Sequence, residues 1–192
     1  MGRPKLALPL GNRTVLERVI AALRAAKVDR IVVILGPHVA SLAESVQMAG
    51  ASVALLSEAT PDMRATVEAG LRHIEKTYQP NARDSWLLCP ADHAMLDATI
   101  IRHLCDELDK RPDCSIALPV FEGKQGHPTI ISWRHAERIR SFPKEIGMNR
   151  YLRQFASETL ELTVSSADVL LDLNTPEDYD KLSRRFASLL GE

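Results

Sequence analysis

Three short groups of residues combine types and spacings that suit phosphate and metal chemistry. The first is Asp92 in Trp86-Leu87-Leu88-Cys89-Pro90-Ala91-Asp92-His93, where a short apolar run breaks into an acid. In an open α/β sheet, ligands gather at the carboxyl ends of strands, so an Asp there faces the binding crevice. One carboxylate in that place suits Mg²⁺, which keeps several waters and takes one or two protein carboxylates plus substrate phosphates. A helix cap or turn aspartate is the plainer alternative. The second group is Asp172-Leu173-Asn174. On an extended segment its acid and amide point to the same side and offer hard oxygen donors to such a cation. Capping of the final helix by Asn174 and Thr175 is the alternative, and it is compatible with ligation. The third is Gly123-Lys124-Gln125-Gly126-His127-Pro128, whose glycines permit a tight turn and close approach of backbone to a ligand. Pro128 stiffens the start of the next strand. His127 could donate to a phosphate or a polar ring, or be an incidental loop histidine. Lys5, restrained by Pro4, is an exposed cation. Thr66 could offer a hydroxyl and backbone donors near a helix start, or bond back to the preceding turn.

The elements that must position these groups follow from apolar periodicity. Leu16, Val19, Ile20 and Leu23 predict an amphipathic helix over 14–27. The β-branched run 31–35, closed by Gly36-Pro37, predicts a strand buried on both faces. A helix over 38–49 stops at Gly50, and residues 52–56 form a second strand. The loop 57–62 feeds a helix with Met63, Val67, Leu71 and Ile74 on one face, and 85–89 is the strand that ends near Asp92. Asp97 can cap a helix carrying Ile100, Ile101, Leu104 and Leu108. Apolar runs at 115–120 and 129–132 bracket the glycine loop. Short helices over 134–141 and 147–155, a strand over 159–164 and a final helix begun by Thr175-Pro176 complete the chain. Strands alternating with helices predict a mostly parallel α/β sheet.

Composition narrows the class. The 192 residues are 45% apolar and 26% charged, which suits one domain, 1–192, with a three-layer core and no disulfide or metal staple. A formal net charge of −1, with Lys and Arg spread along the chain, argues against nonspecific nucleic-acid binding. Cys89, Cys105 and Cys114 are an odd count without a close pair, so they indicate neither a disulfide framework nor a zinc site. No run approaches the ~18 apolar residues of a membrane span, and there is no apolar core of signal-peptide type. A reducing cytoplasm, with neither nucleic acid nor membrane as partner, fits best.

Five pieces, in order, resemble the MobA-like nucleotidyltransferases. They are Met-Gly-Arg-Pro-Lys with the following Leu-Pro-Leu-Gly, Asp62-Met63-Arg64-Ala65-Thr66-Val67-Glu68-Ala69-Gly70, Ala91-Asp92-His93, the Gly-His-Pro loop, and Asp172-Leu173-Asn174-Thr175-Pro176-Glu177-Asp178. The loop resembles the molybdenum cofactor cytidylyltransferase branch more than the guanylyltransferase branch. The resemblance implies a three-layer, Rossmann-like nucleotide-diphospho-sugar transferase fold. It implies that a substrate phosphate attacks the α-phosphorus of CTP and pyrophosphate leaves, with a molybdopterin-type phosphate as acceptor. By the same resemblance, Lys5 and Asp92 are catalytic, and Gly2, Lys5, Asp62, Met63 and Thr66 contact the nucleotide. Gly126, His127 and Pro128 shape the acceptor side, and Asp92 and Asn174, with Asp172 as alternate, hold Mg²⁺. A molybdoenzyme or a maturation factor is the protein partner it implies. The alternatives are a nucleotidyltransferase for a sugar or other small phosphate, and a non-catalytic nucleotide- or cofactor-binding protein.

Two departures carry consequences. The family opens with a central strand and a Leu-Ala-Ala-Gly-x-Ser-x-Arg loop, and this sequence begins after both. That loop serves the triphosphate, so the resemblance leaves open the catalytic competence of the chain as given. The strands 31–35 and 86–89, which flank the first strand in the family, are expected to close up, to receive a surrogate, or to stand apart as in a shortened chain. The second departure is His93-Ala94, where Gln-Pro or His-Pro is common; it alters the turn beyond Asp92 and keeps the carboxylate.

Overall fold

Thr14 starts the first long helix. Its hydroxyl accepts from the Glu17 N–H at 3.2 Å, and the Glu17 carboxylate accepts from the Thr14 N–H at 2.8 Å, a reciprocal cap. The computed structural model describes residues 4–190, with side chains to residue 188. A 3₁₀ turn at Lys5–Ala7 leads to a hairpin of β1 (Pro9–Leu10) and β2 (Arg13–Thr14), then to helix α1 (Val15–Ala25). Strand β3 (Val32–Leu35) pairs in parallel with β4 (Ser52–Leu55). The sequence predicted one helix between them. The chain instead forms a 3₁₀ turn at Pro37–Leu42 and a short α2 (Ala43–Met48); Gly36, between strand and turn, has no capping side chain to seed an α-turn at Pro37.

Helix α3 (Met63–Tyr78) returns the chain to a second sheet. It contains β5 (Ser85–Leu88), β6 (Ile116–Phe121), β7 (Lys124–Gln125), β8 (Thr129–Ser132) and β9 (Thr159–Thr163). Strand β8 lies antiparallel between β5 and β6, and β9 runs parallel along β6. Glu122 and Gly123 both take positive φ, 47° and 75°, and make the two-residue turn that joins β6 to β7. Helices α4 (Ala98–Asp109), α5 (His135–Ser141), α6 (Met148–Arg153) and α7 (Pro176–Leu190) complete the chain.

Alternation along β5 reveals the layers. Leu87 packs with Val19, Leu23 and Ile101 of α1 and α4, whereas Trp86 and Leu88 pack on the opposite side, against Val67, Leu71, Ile139 and Tyr151 of α3, α5 and α6. This is the expected three-layer α/β arrangement. The two sheets do not pair with each other among the described residues. Residues of β3 and β5 instead line opposite walls of a groove of about 760 Å³. Neither direct closure nor a surrogate strand from the described residues is present.

Two buried polar networks hold the second half together. Arg64 is 3% exposed, and its guanidinium donates to the carbonyls of Ile139, Phe142, Pro143 and Ile146 and to the Glu68 carboxylate. It therefore ties the start of α3 to the α5–α6 connection. Arg64→Met should destabilise the protein by about 3–5 kcal/mol in urea denaturation, because four carbonyls and a carboxylate lose their donor in a buried site. In the second network, fully buried His135 bonds through Nε2 to the Ser115 hydroxyl and through Nδ1 to the Tyr151 hydroxyl, each at 2.8 Å. Burial pushes the His135 imidazole from its ordinary 6.5 down to about 4, with Arg138 and Arg134 adding to the shift. The unfolded chain thus takes up this proton first on acidification. His135 contributes its full stability above about pH 6.5 and loses it as the pH falls toward 4. His135→Gln should flatten the fall in melting temperature between those pH values, as followed by circular dichroism.

Candidate active site

Three segments far apart in sequence meet at the carboxyl end of β5. The Lys5 ammonium donates to Asp92 Oδ2 at 2.6 Å and to Asn174 Oδ1 at 3.1 Å. Asp92 stands four residues beyond β5 and caps no helix; that task at α4 falls to Asp97, which accepts from the Thr99 N–H at 2.6 Å. Asn174 is not the cap of α7 either. Thr175 and Asp178 cap one another reciprocally, the Thr175 hydroxyl accepting from the Asp178 N–H and the Asp178 carboxylate from the Thr175 N–H. This leaves the Asn174 side chain to donate to Asp172 Oδ2 at 2.7 Å, which turns its oxygen toward Lys5. Leu173, between the two, is fully buried against Leu10, Val15 and Leu182, so its neighbours are held at the surface.

The donor set is the Asp92 carboxylate and the Asn174 amide oxygen on either side of the Lys5 ammonium, with the Asp172 carboxylate bonded to the Asn174 amide behind them. Among the described residues no group of three or more His, Cys, Asp or Glu could hold a metal unaided. A pair of hard oxygen ligands completed by water and substrate phosphate is the pattern that suits Mg²⁺. Lys5 occupies the space between those oxygens, so a divalent cation bound there competes with the ammonium for Asp92.

The glycine loop lies beside this cluster. A Cβ on Gly126 would come within 2.6 Å of the Val169 carbonyl oxygen, so only glycine permits the approach that lets the His127 N–H donate to that same oxygen. The His127 ring packs edge-on against His93 with centroids 4.8 Å apart. Burial pushes the His127 imidazole down to about 4 and His93 also below its ordinary value, while Asp92 and Asp172 pull both the other way. Both rings are therefore neutral at pH 7. The Nδ1 atoms of both are buried without a hydrogen-bond partner among the described residues. Pro128 is buried as well.

The predicted nucleotide-side residues divide. Lys5 and Thr66 line a cavity of about 420 Å³ with Ile34, Gly36, His38 and Thr60. Thr66 bonds to the Thr60 hydroxyl and back to the Asp62 carbonyl, the back-bonded alternative from the sequence, yet it still lines the cavity. The Asp62 carboxylate caps α3 by accepting from the Ala65 N–H at 2.8 Å, and Met63 is 52% exposed beside it. Neither Asp62 nor Met63 lines this cavity. Gly2 lies outside the described residues. Sequence reasoning passed over His93, His38 and Thr60. For His38 the available signal was its position just past a strand's carboxyl end, in Gly36-Pro37-His38.

A family model for the MobA-like NTP transferase domain matches residues 1–160. The chain belongs to this family. Its fold and its assignment as a nucleotidyltransferase follow from that membership, in agreement with the resemblance carried by the five pieces. The solved structures that the MobA-like chain resembles include the manganese complex of Rv0371c from Mycobacterium tuberculosis H37Rv, at 24% identity over 95% of this chain and 93% of that one, with a TM-score of 0.74. The homologue from Mycobacterium sp. strain JC1 is 24% identical over 98% of this chain and 91% of that one, with a TM-score of 0.79. A cytidylyltransferase from Leptospira borgpetersenii serovar Hardjo-bovis is 18% identical over 96% and 80%, with a TM-score of 0.74. No curated protein sequence matches the chain.

Because Asp172 aims the Asn174 oxygen, a divalent cation taken by Asp92 and Asn174 would bind at least about 10-fold more weakly in Asp172→Ala, as when outer ligand partners are lost. Calorimetric titration of the folded variant with Mn²⁺ measures this.

Proposed function

We propose that this single MobA-like domain transfers CMP from CTP to the phosphate of a molybdopterin-type acceptor and releases pyrophosphate. The observation that carries the reading is the ammonium of Lys5, a residue that lines the 420 Å³ cavity, held between Asp92 and Asn174. A phosphoryl group placed there meets a fixed cation on one side and oxygen ligands for Mg²⁺ on the other. Mg²⁺ held by Asp92 and Asn174 would supply charge neutralisation for the triphosphate. Lys5 bears part of the charge that develops as the α-phosphorus changes partners, and little is required of a protein nucleophile. The cavity beside Thr60 and Thr66 takes the base, and the Gly126-His127-Pro128 loop takes the acceptor. The manganese held by Rv0371c and the cytidylyltransferase from Leptospira support a divalent metal and CTP. The Gly-His-Pro loop beside Asp172 favours the molybdopterin-type acceptor over a sugar phosphate. Among the described residues no helix is long and apolar enough to cross a membrane. A cytoplasmic place of work, with a molybdoenzyme or maturation factor receiving the product, belongs to the same reading.

The test is pyrophosphate release with Mg²⁺ across CTP, GTP and ATP, with molybdopterin-type and sugar-phosphate acceptors compared. CTP with the molybdopterin-type acceptor should support turnover best. Turnover with a sugar phosphate alone, or CTP binding without any turnover, would replace the reading by one of the two alternatives. Asp92→Ala should lower kcat by about 100-fold or more. Its effect on the metal-free fold should stay within about 1 kcal/mol, since the Lys5–Asp92 pair is only partly buried.

A further inference from the structure

We propose that the outer edge of β4 is a self-association surface, and that its occupant is the same edge of a second copy of this chain, running antiparallel. The backbone bonds show which groups are free. The Ser52 N–H donates to the Ile31 carbonyl and the Leu56 N–H to the Leu35 carbonyl, so Ser52, Ala54 and Leu56 face β3. Alternation then turns the N–H and C=O of Val53 and Leu55 outward. On that side β4 has no strand partner among the described residues. Such a row of free donors and acceptors is a template for another strand, and native edges are usually blunted by charge, by proline or by a bulge. Residues 48–57 contain no charged residue and no proline. Strand β9, which pairs with β6, differs in carrying exposed Glu161 at its middle.

What this edge presents is complementary to itself. A two-fold axis at Ala54 sets Val53 of each copy against Leu55 of the other, and such a pair exchanges both of its outward backbone hydrogen bonds. Ala54 then meets Ala54 at a position where Cα atoms approach to about 4.5 Å, which its small, buried side chain permits. The side chains follow the same symmetry. Val53 packs into the core of Leu16, Ile20 and Val46, and Leu55, two residues on, shares its face and is 59% exposed. Met48, the last residue of α2 on that face, is 82% exposed just ahead of β4. Antiparallel pairing puts the start of one β4 against the end of the other, so Met48 of each copy covers Leu55 of its mate. Charge agrees. Arg24 donates to the Gly50 carbonyl at 3.2 Å, just ahead of β4, and Glu58 lies just after it. The pairing brings Arg24 of one copy and Glu58 of the other to the same end as opposite charges. The edge is short, so the dimer is a weak one, with a dissociation constant on the order of 10–100 µM.

Sedimentation velocity of the chain between about 1 µM and about 1 mM should show monomer passing to dimer. Over the same range, hydrogen exchange at the Val53 and Leu55 amides should slow about 5-fold or more, while the Ala54 amide, which faces β3, is unchanged. Leu55→Pro removes an outward donor and no bond to β3, and it should leave a monomer throughout. Leu55→Lys keeps the backbone intact, charges the edge and should do the same, whereas Leu55→Val should keep the dimer; circular dichroism checks that each variant is folded. Arg24→Glu and Glu58→Arg should each weaken the dimer about 10-fold, and the two together should restore it. A chain that stays monomeric at the highest concentration would overturn the proposal. So would a dimer that survives both Leu55→Pro and Leu55→Lys, one that forms without slowed exchange at Val53 and Leu55, or a double charge reversal that restores nothing. None of these readouts depends on nucleotidyl transfer.

Discussion

The site rests on one charged contact, the Lys5 ammonium suspended between Asp92 and Asn174. It joins segments 87 and 169 residues apart in sequence, so it is only as well placed as the elements behind each partner. Lys5 is over a third exposed, and a pair of that kind adds at most about 1 kcal/mol to folding. Its importance lies in position. Three supports fix it: Leu6 wedged between two cores, the end of β5 carrying the chain to Asp92, and fully buried Leu173 pinning the loop that presents Asn174.

The helices do the work of holding the two sheets in one frame. Helix α1 buries Leu16 and Ile20 with Leu35 and Val46 on the β3 side, and Val19 and Leu23 with Ile101 on the β5 side. Helix α3 brings Gly70 against Ile34 while Val67 and Leu71 pack among Trp133 and Tyr151. At Gly70 an added Cβ would sit 3.2 Å from the Ile34 side chain, so the close approach of α3 to β3 uses the glycine. The spacing of β3 and β5 is thus set from above and below, by side-chain packing on helices that span both sheets. Arg64 extends the same clamp by bonding α3 to the α5–α6 connection. That geometry leaves the strand ends, and with them Asp92 and the 420 Å³ cavity, on a common rim.

How much of this was legible follows from the range of the interactions. The amphipathic stripe of Leu16, Val19, Ile20 and Leu23 and the apolar run at 31–35 were readable, because burial on one or two faces writes a local pattern. The meeting of Asp92 with Asp172 and Asn174 was foreseeable from strand-end logic, and the structure brings them together through Lys5. The division of labour at Asn174-Thr175 was not, since both residue types cap helices and only the Asp178 partner shows which one does. Likewise, Arg64 reads as an ordinary helical arginine next to Thr66, and nothing local announces that its carbonyl partners begin 75 residues away. His93 was read as a changed turn after Asp92. Its contact with His127 is set by the packing of two loops, for which a single sequence holds no periodic signal.

That histidine pair divides the site into two electrostatic halves. On one side are Lys5, Asp92, Asp172 and Asn174, linked by charge-assisted hydrogen bonds. On the other are two imidazoles held neutral by burial, although Asp92 and Asp172 favour their protonation. Desolvation is the largest influence on both rings, and at His127 the neighbouring His93 adds to it. A neutral imidazole recognises by shape and by a single directed hydrogen bond, and it adds nothing to phosphate neutralisation. Under the proposed reaction, charge on a phosphate would be met on the Lys5 side, by the ammonium and by a divalent cation drawn to the oxygens. In that reaction the loop of Gly126, His127 and Pro128 would discriminate among acceptors by their uncharged portions. The proposed phosphate chemistry would then stay fixed at Lys5 and Asp92 while changes near His93 and His127 alter which acceptor is taken.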